Sequence, residues 1–353
     1  MVTWRSPSHR NKRRHHQRGR WWLLGLIASL MAGCGEGAGE ALLGDYQQRL
    51  AAALDLAPPA KARPTNIGDF PEPDARLFAI PETREALLDV FALRGCHIAN
   101  LVAGRNNQLG KVAPPSQRWL YELTLWRRLS GCWNTEVPAT LSDNDRARLA
   151  RLTRLKTDQL PRASWNALFA SSEWVGSFSR ASSPLPPDAL PEVDVQLPAL
   201  AYLREATLHQ FDRRWEADSA TLEGYLKTLQ ERPLTAELLR ALMLAERRLA
   251  EASRLLETAQ QSNACPTTPA GLPPFSGDTR LVAWLDHLEL ASKRWLSAIH
   301  RLLDAQLISP RPAIVIYRHR WLSLEDPRAP WPALVAARQQ HREWRASLIR
   351  HCR

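Results

Sequence analysis

The feature that most constrains the fold is the spacing of apolar residues in the second half of the chain. From Pro198 onward, apolar side chains recur at alternating steps of three and four, as on the buried face of a packed helix. Four segments show this pattern in succession: 198–230, 235–256, 279–307 and 332–352. Consecutive helices with short connections pack antiparallel, so the sequence predicts an up-down helical bundle over residues 197–353.

The first half of the body is also helical in pattern. Apolar spacing predicts helices over 40–56, 82–106, 116–133 and 142–160. The two middle helices are expected to form an antiparallel hairpin, and two proline-rich connections, 57–81 and 179–198, interrupt the pattern. We therefore expect an all-α protein with three parts after residue 33: a tether, short helix and proline-rich linker at 34–81, an N-terminal helical subdomain at 82–196, and the C-terminal bundle.

Three local patterns need separate interpretation. Trp119, Trp126 and Trp133 repeat every seven residues and share one helix face, which favours a core stripe over a ligand box. Helix 142–160 carries arginines opposite its leucines, which favours a packed helix with a solvated face over one lying on anionic headgroups. Residues 313–317, Ala-Ile-Val-Ile-Tyr, are predicted as an isolated strand.

Residues 1–33 have the order of a secretory signal peptide: basic residues, an apolar run of 12 residues, and small residues before Cys34. Twelve residues are too few to cross a bilayer, which needs about 20. Met31-Ala32-Gly33-Cys34 resembles the lipobox of bacterial lipoproteins, although Met31 stands where Leu is commonest. That resemblance implies a diacylglycerol on Cys34, and Gly35 in place of Asp implies transfer to the outer membrane. The alternative is an ordinary signal peptide followed by an unrelated cysteine.

The positive charge of the chain lies largely in this leader. The whole sequence has a formal net charge of +11, but residues 1–33 hold seven Lys and Arg and no acidic residue. Residues 34–353 therefore carry 40 basic against 36 acidic side chains. A nearly balanced body removes the main argument for nucleic acid as a partner, and we expect none.

Four cysteines remain after Cys34, and an even number in an exported chain suggests two disulfides. Three connectivities are possible. In an up-down bundle the second and fourth helices point the same way, which brings Cys265 and Cys352 to one end. Counting residues outward from the hairpin loop places Cys96 and Cys132 at similar heights along the two predicted antiparallel helices. We therefore expect the pairs Cys96–Cys132 and Cys265–Cys352, with four buried thiols as the alternative.

The sequence contains no motif for a hydrolase nucleophile, a phosphate-binding loop, a dinucleotide site or a zinc site. His209 with Asp212, and Ser297 with His300, lie three apart on helices, a spacing that is common by chance. We therefore predict no catalytic residue, no metal, and no cofactor beyond the covalent lipid on Cys34. An active site assembled across the fold remains open from one sequence.

One polar stretch stands out in the loop of the predicted hairpin. Its cations and amides, together with free backbone donors at a helix that Ser116 would cap, could hold an anionic group such as phosphate. The alternative is that the asparagines end one helix, Ser116 caps the next and the cations are solvated. The candidate residues for a ligand or partner are Arg105, Asn106, Asn107, Lys111, Ser116, Gln117 and Arg118.

Several motifs together resemble a family of uncharacterised Gram-negative lipoproteins. They are the lipobox, Leu42-Leu43-x-Asp45-Tyr46-x-x-Arg49-Leu50, Leu93-Arg94-Gly95-Cys96, Asn106-x-x-Leu109-Gly110-Lys111 and Pro115-Ser116-Gln117-Arg118-x-x-x-Glu122. The resemblance implies the lipid anchor and no activity. Our leading hypothesis is an outer-membrane lipoprotein on the periplasmic face that binds an envelope protein as an adaptor. The second is a binder of a small anionic or lipid-like ligand, and the third is an enzyme without a recognisable motif. A dry pocket beside the loop would favour the second, and a flat exposed apolar patch would favour the first.

Overall fold

The computed structural model describes residues 37–62, 65–266, 271–275 and 279–352. This part of the chain is all-α and contains no strand, as the apolar spacing predicted. Cys34 and the leader lie outside the described residues. The helices of the first half are α1 Ala38–Ala53, α2 Pro73–Arg76, α3 Leu87–Ala92, α4 Ala99–Asn106, α5 Gln108–Lys111, α6 Pro115–Cys132, α7 Val137–Thr140, α8 Asp143–Phe169 and α9 Ser172–Gly176. Those of the second half are α10 Glu192–Leu208, α11 Ser219–Gln230, α12 Leu234–Gln261, α13 Arg280–Asp304, α14 Pro312–Tyr317 and α15 Pro330–His351.

The first of the four predicted helices of the C-terminal bundle is divided into two. The segment 198–230 forms two helices, α10 and α11, which pack against each other. The connection ends at Asp218, whose carboxylate caps α11 by accepting a 2.7 Å hydrogen bond from the backbone N–H of Thr221. The apolar spacing continues across the turn between α10 and α11, because both helices present their apolar residues to the same core. The spacing alone therefore did not predict this turn.

Two prolines lie inside helices where the sequence predicted a boundary. α8 continues past Pro161 to Phe169, and α10 begins at Glu192, before Pro198. An interior proline costs about 3 kcal/mol, and the burial of aromatic residues beyond Pro161, such as Trp165, offsets that cost. The predicted boundary between residues 196 and 197 therefore falls within a helix.

α12 and α15 lie side by side and run in the same direction, as the alternating topology predicted. Ser253 Oγ lies 3.0 Å from Nδ1 of His341, and further along Ser347 donates to Gln260 at 3.1 Å. The two pairs are 88 and 87 residues apart in sequence, so the register stays constant. The same register brings the ends of the helices together at Cys265 and Cys352.

Both cysteine pairs have the geometry of disulfides, as predicted. The Cα atoms of Cys265 and Cys352 are 5.5 Å apart, and those of Cys96 and Cys132 are 5.2 Å apart. The first bridge closes the open end of the α12–α15 pair. The second joins the 3₁₀ turn Arg94–Cys96 to the last residue of α6.

The hairpin of the N-terminal part is formed by α6 and α8, and not by 82–106 and 116–133 as the sequence predicted. Residues 82–106 are divided among a coil, α3, a 3₁₀ turn and α4, with His97 in the left-handed conformation at a φ of 56°. This break removes the long helix that the hairpin needed. The structural partner of α6 is instead the 27-residue α8.

The seven-residue tryptophan repeat stabilises this hairpin through hydrogen bonds as well as burial. Each indole N–H donates to a hydroxyl on α8: Trp119 to Ser164 at 2.8 Å, Trp126 to Thr157 at 3.0 Å and Trp133 to Thr153 at 3.1 Å. The predicted core stripe is confirmed for Trp119 and Trp126, which are 1% and 8% exposed. Trp133 is 39% exposed and lies at the edge.

The predicted strand at 313–317 is wrong, because these residues form α14. Pro312 is its first residue, a position that suits proline's fixed φ and missing N–H. The helix buries Ile314 and Tyr317 and leaves Val315 and Ile316 on the surface. Residues 318–322 continue it as a π-helical turn.

The buried residues form a large core and a smaller one. The large core reaches from α1 to α15, and the smaller one joins α3 and the following turn to α6 and α8. The proline-rich linker packs on the large core through two phenylalanines. Phe70 stacks on Phe178 with ring centroids 4.3 Å apart, and Phe78 meets Trp165 edge-on at 5.6 Å. None of the described helices is both long and apolar enough to cross a membrane.

Candidate functional site

Three of the seven candidate side chains in the predicted loop form hydrogen bonds with the loop's own backbone. The side chain of Asn107 caps α5 by accepting a 2.8 Å hydrogen bond from the N–H of Gly110. Arg105 donates to the carbonyl of Gly110 at 2.6 Å and lies over the ring of Tyr121. Arg118 donates to the carbonyl of Ala113 at 2.7 Å. Arg105 and Arg118 therefore use part of their hydrogen-bonding capacity to stabilise the conformation of the loop.

Ser116 does not cap α6, contrary to the prediction. The helix begins at Pro115, so Ser116 lies inside it and its hydroxyl donates to Glu223 of α11 at 2.7 Å. Gln117 donates to the same carboxylate at 2.7 Å. A carboxylate among the expected anion ligands opposes binding of a second anion there. Of the remaining candidates, Asn106 and Lys111 are exposed, and neither has a side-chain hydrogen bond or ion pair with the described residues.

Large apolar side chains are exposed in this loop and on α3. Leu109 and Val112, in and after α5, are 80% and 75% exposed. On α3, Leu87 and Leu88 are each 80% exposed and Phe91 is 56% exposed. Both short helices contact α4, and we call these five residues the α3–α5 surface. Exposed apolar side chains of this size favour a protein-binding role.

A buried Ser-His-Tyr cluster joins α1, α12 and α15. Tyr46 Oη lies 2.7 Å from Nε2 of His341, and Ser253 Oγ lies 3.0 Å from Nδ1. Ser253 directs its own proton to the carbonyl of Leu249 at 2.9 Å, so it accepts from the imidazole. A serine nucleophile needs the opposite direction of transfer and access to substrate. His341 is fully buried, and burial lowers its pKa to about 3. The cluster is therefore structural.

The two spaced pairs noted in the sequence also lack catalytic geometry. His209 Nδ1 is 3.6 Å from a carboxylate oxygen of Asp212 on the surface. His300 is bonded to the carbonyl of Leu322 at 2.9 Å, away from Ser297. Burial, with Arg318 nearby, lowers the pKa of His300. The described part of the chain also holds no cluster of three His, Cys, Asp or Glu placed to bind a metal.

A buried ion network holds α1 on α12. Arg248, which is 2% exposed, donates to Glu40 at 2.5 Å and to Glu251 at 3.0 Å. Gln47 donates to Glu251 at 3.2 Å. Burial alone would raise the pKa of Glu251, but the hydrogen bonds from Arg248 and Gln47 hold it below its usual value.

The start of α1 packs directly on α13. A Cβ on Gly39 would lie 2.9 Å from Cζ2 of Trp284, so the glycine permits close contact between the helices. The sequence suggested a flexible tether up to Gly39, but the chain is helical and packed from Ala38 onward. Only a short segment therefore separates Cys34 from the packed body.

A basic groove lies between α10 and α13, and sequence reasoning missed it. Its volume is about 430 Å³, and four cations line it: Arg204, Lys293, Arg294 and Arg301. The sequence shows only that Lys293, Ser297 and Arg301 are spaced four residues apart and so share one helix face. That spacing by itself indicates a solvated face. The groove could not be inferred from it, because its opposite wall comes from α10.

Fold and site together define an all-α, disulfide-bonded protein without a recognisable catalytic centre in its described residues. The chain matches the model of a family described as "Protein of unknown function (DUF3080)" over residues 43–270. This match covers more than half of the chain, and the protein belongs to that family. No curated protein and no solved structure matches it.

Proposed function

We propose that this protein is an outer-membrane lipoprotein whose periplasmic body binds another protein of the cell envelope. Residues 1–33 would direct export, and acyl groups on Cys34 would hold the body at the membrane. The observation that carries the binding role is the α3–α5 surface. It exposes five large apolar side chains, two of them in or next to a loop whose polar groups are mostly bonded within the protein.

The architecture supports a rigid body held close to its anchor. The packing of Gly39 on Trp284 and the Arg248–Glu40 ion pair fix α1 from its first turn. The Cys96–Cys132 bridge fixes the turn between α3 and α4 to α6. A preorganised surface loses less conformational entropy when a partner binds.

Photocrosslinking in living cells tests the proposal. A photoreactive residue is placed at Leu109 or Leu88 in the full chain, with Ile316 as the matched control. Ile316 is also exposed, at 68%, but it lies on α14. We expect one discrete protein adduct from positions 109 and 88 and none from 316. The absence of an adduct at both test positions, or the same adducts from all three, would overturn the binding role.

The anchor is tested separately. Cells fed a labelled fatty acid should label the parent protein and fail to label Cys34→Ser, which has no thiol to acylate. Fractionation should place the parent protein in the outer membrane. Equal labelling of the two proteins would disprove the anchor at Cys34 without affecting the crosslinking result.

A further inference from the structure

We propose that the groove between α10 and α13 binds an anionic amphiphile: a molecule with a phosphate group and an attached acyl chain. This site lies outside the α3–α5 surface and is independent of the protein partner proposed above. Its volume of about 430 Å³ is within the range of small-molecule sites, roughly 300–1,000 Å³.

The two helices that form the groove run in the same direction. Asp194 of α10 pairs with Arg294 of α13 at 2.5 Å, and Gln306 reaches Thr207 at 3.4 Å. Both contacts join residues about 100 apart in sequence, so the register is constant along the groove. The walls are thus two long helices supported by the main core, which keeps the lining side chains in fixed relative positions.

Charge in the groove favours an anion. Arg294 and Arg204 have acidic partners, Asp194 and Glu205, that lie outside the lining. Arg301 has no ion-pair partner among the described residues, and no described carboxylate lines the groove. Guanidinium groups bind phosphate through paired hydrogen bonds, and the uncompensated charge of Arg301 favours an anionic group between the helices.

Lys293 adds to this charge from one side. Its ammonium group lies 5.4 Å from the ring centroid of Trp331. A cation–π contact leaves the full positive charge in place and uses no carboxylate. The ammonium group therefore remains available to an anion in the groove.

The floor of the groove is apolar, which distinguishes the proposed ligand from a free phosphate ion. Leu200 and Ala298 form buried parts of the lining, and Leu197 and Ala201 extend it toward the surface. Exposed leucines continue the two walls beyond the cations: Leu290 is one turn before Arg294, and Leu208 is one turn after Arg204. A cationic wall over an apolar floor matches a phosphate headgroup with a short length of hydrocarbon.

Calorimetry on the mature, acylated protein in non-ionic detergent tests this assignment. The probes are dihexanoyl phosphatidate, glycerol 3-phosphate and inorganic phosphate, at the same ionic strength. We expect phosphatidate to bind about tenfold or more tightly than the two probes that lack acyl chains. Equal binding of all three would show a site for phosphate alone, and no binding would remove the site; either result overturns the proposal.

Variants locate the binding. The double variant Lys293→Gln, Arg301→Gln should weaken phosphatidate binding by about tenfold or more, because the two lining cations without a carboxylate partner among the described residues are lost. Arg342→Gln, an exposed arginine on α15, is the matched control and should bind as the parent does. Ala201→Phe fills the floor without changing charge and should weaken phosphatidate binding while leaving glycerol 3-phosphate unaffected. Unchanged phosphatidate binding in the double variant would place the ligand elsewhere and overturn the proposal.

Discussion

Tyr46 and His341, 295 residues apart in sequence, are joined by a 2.7 Å hydrogen bond that solvent does not reach. Tyr46 Oη also accepts from Arg345 at 2.9 Å, so its own proton points to Nε2 of the imidazole. The network then assigns the imidazole proton to Nδ1, which donates to Ser253. A neutral His341 thus connects α1 to α15, and both of its ring nitrogens are hydrogen-bonded.

This arrangement predicts a loss of stability in acid. The pKa of His341 falls from 6.5 to about 3 because burial disfavours the charged imidazole. Between these values the unfolded chain binds one proton more than the folded protein. The free energy of unfolding should therefore decrease as pH falls through this window, by up to about 1.4 kcal/mol per pH unit from this group.

Urea titrations between pH 7 and pH 4 measure this effect. His341→Gln should be less stable than the parent at pH 7, because the glutamine cannot reproduce both hydrogen bonds, but it should lose less stability in acid. His287→Gln removes an exposed histidine and should keep the parent's pH dependence. If His341→Gln and the parent have the same slope, the neutral assignment of His341 is wrong.

The Arg248 network predicts that removing one of its buried charges destabilises the protein more than removing two opposite charges together. Arg248→Met leaves Glu251 buried without its cation and should lower the free energy of unfolding by about 3–5 kcal/mol. Arg248→Met with Glu251→Leu removes both charges and should recover a substantial part of that loss. Chemical denaturation of the parent, the two single variants and the double variant gives the coupling energy. Additive losses would contradict a coupled buried pair.

The two disulfides should stabilise the protein to similar extents. Their cysteines are 36 and 87 residues apart, which corresponds to about 4 and about 5 kcal/mol in the chain-entropy treatment. Cys96→Ser with Cys132→Ser, and Cys265→Ser with Cys352→Ser, should each unfold at lower urea concentration. Adding a reductant should lower the midpoint of each double variant again, through the remaining bridge. A double variant with the parent's midpoint would show that its bridge does not form.

Substitution of Gly110 tests whether crosslinking from Leu109 depends on the conformation of the candidate loop. A Cβ at this position would lie 2.3 Å from the carbonyl oxygen of Gly104, which is backbone and cannot move away freely. Gly110→Ala should therefore displace α5 and reduce crosslinking from Leu109, with little change in the unfolding midpoint because α5 is exposed. Gly104→Ala meets no atom within 4 Å and should crosslink as the parent does. Equal yields from both variants would show that the loop's conformation does not determine the contact.

Helix content and both cysteine pairs could be predicted because each depends on local periodicity and on simple alternation of helix direction. The predictions failed where tertiary contacts overrode local preference. Pro161 lies within a helix because burial of the following aromatic residues outweighs the broken hydrogen bond. Residues 313–317 have strand propensity, but Pro312 starts a helix whose Ile314 and Tyr317 meet the core.

The candidate site was predicted less well, for a related reason. The polar residues at 105–118 were identified, but whether they face a ligand depended on Glu223, which is more than a hundred residues away. The basic groove depends on two helices whose contacting residues are about a hundred positions apart. The spacing of residues within one segment does not show which distant segment will pack against it.

The parallel packing of α12 and α15 has a consequence for the order in which the chain can assemble. Two parallel helices require a return connection, here α13 and α14, so α12 can pack on α1 before it can pack on α15. Cys96 and Cys132 can pair early, while Cys265 stays a free thiol until Cys352 arrives. The hydrogen bond of Tyr46 in α1 also forms only then, because its partner is His341. During that interval the faces of α1 and α12 that α15 later covers are exposed, so refolding of the reduced chain without a thiol oxidant should trap the protein at this stage.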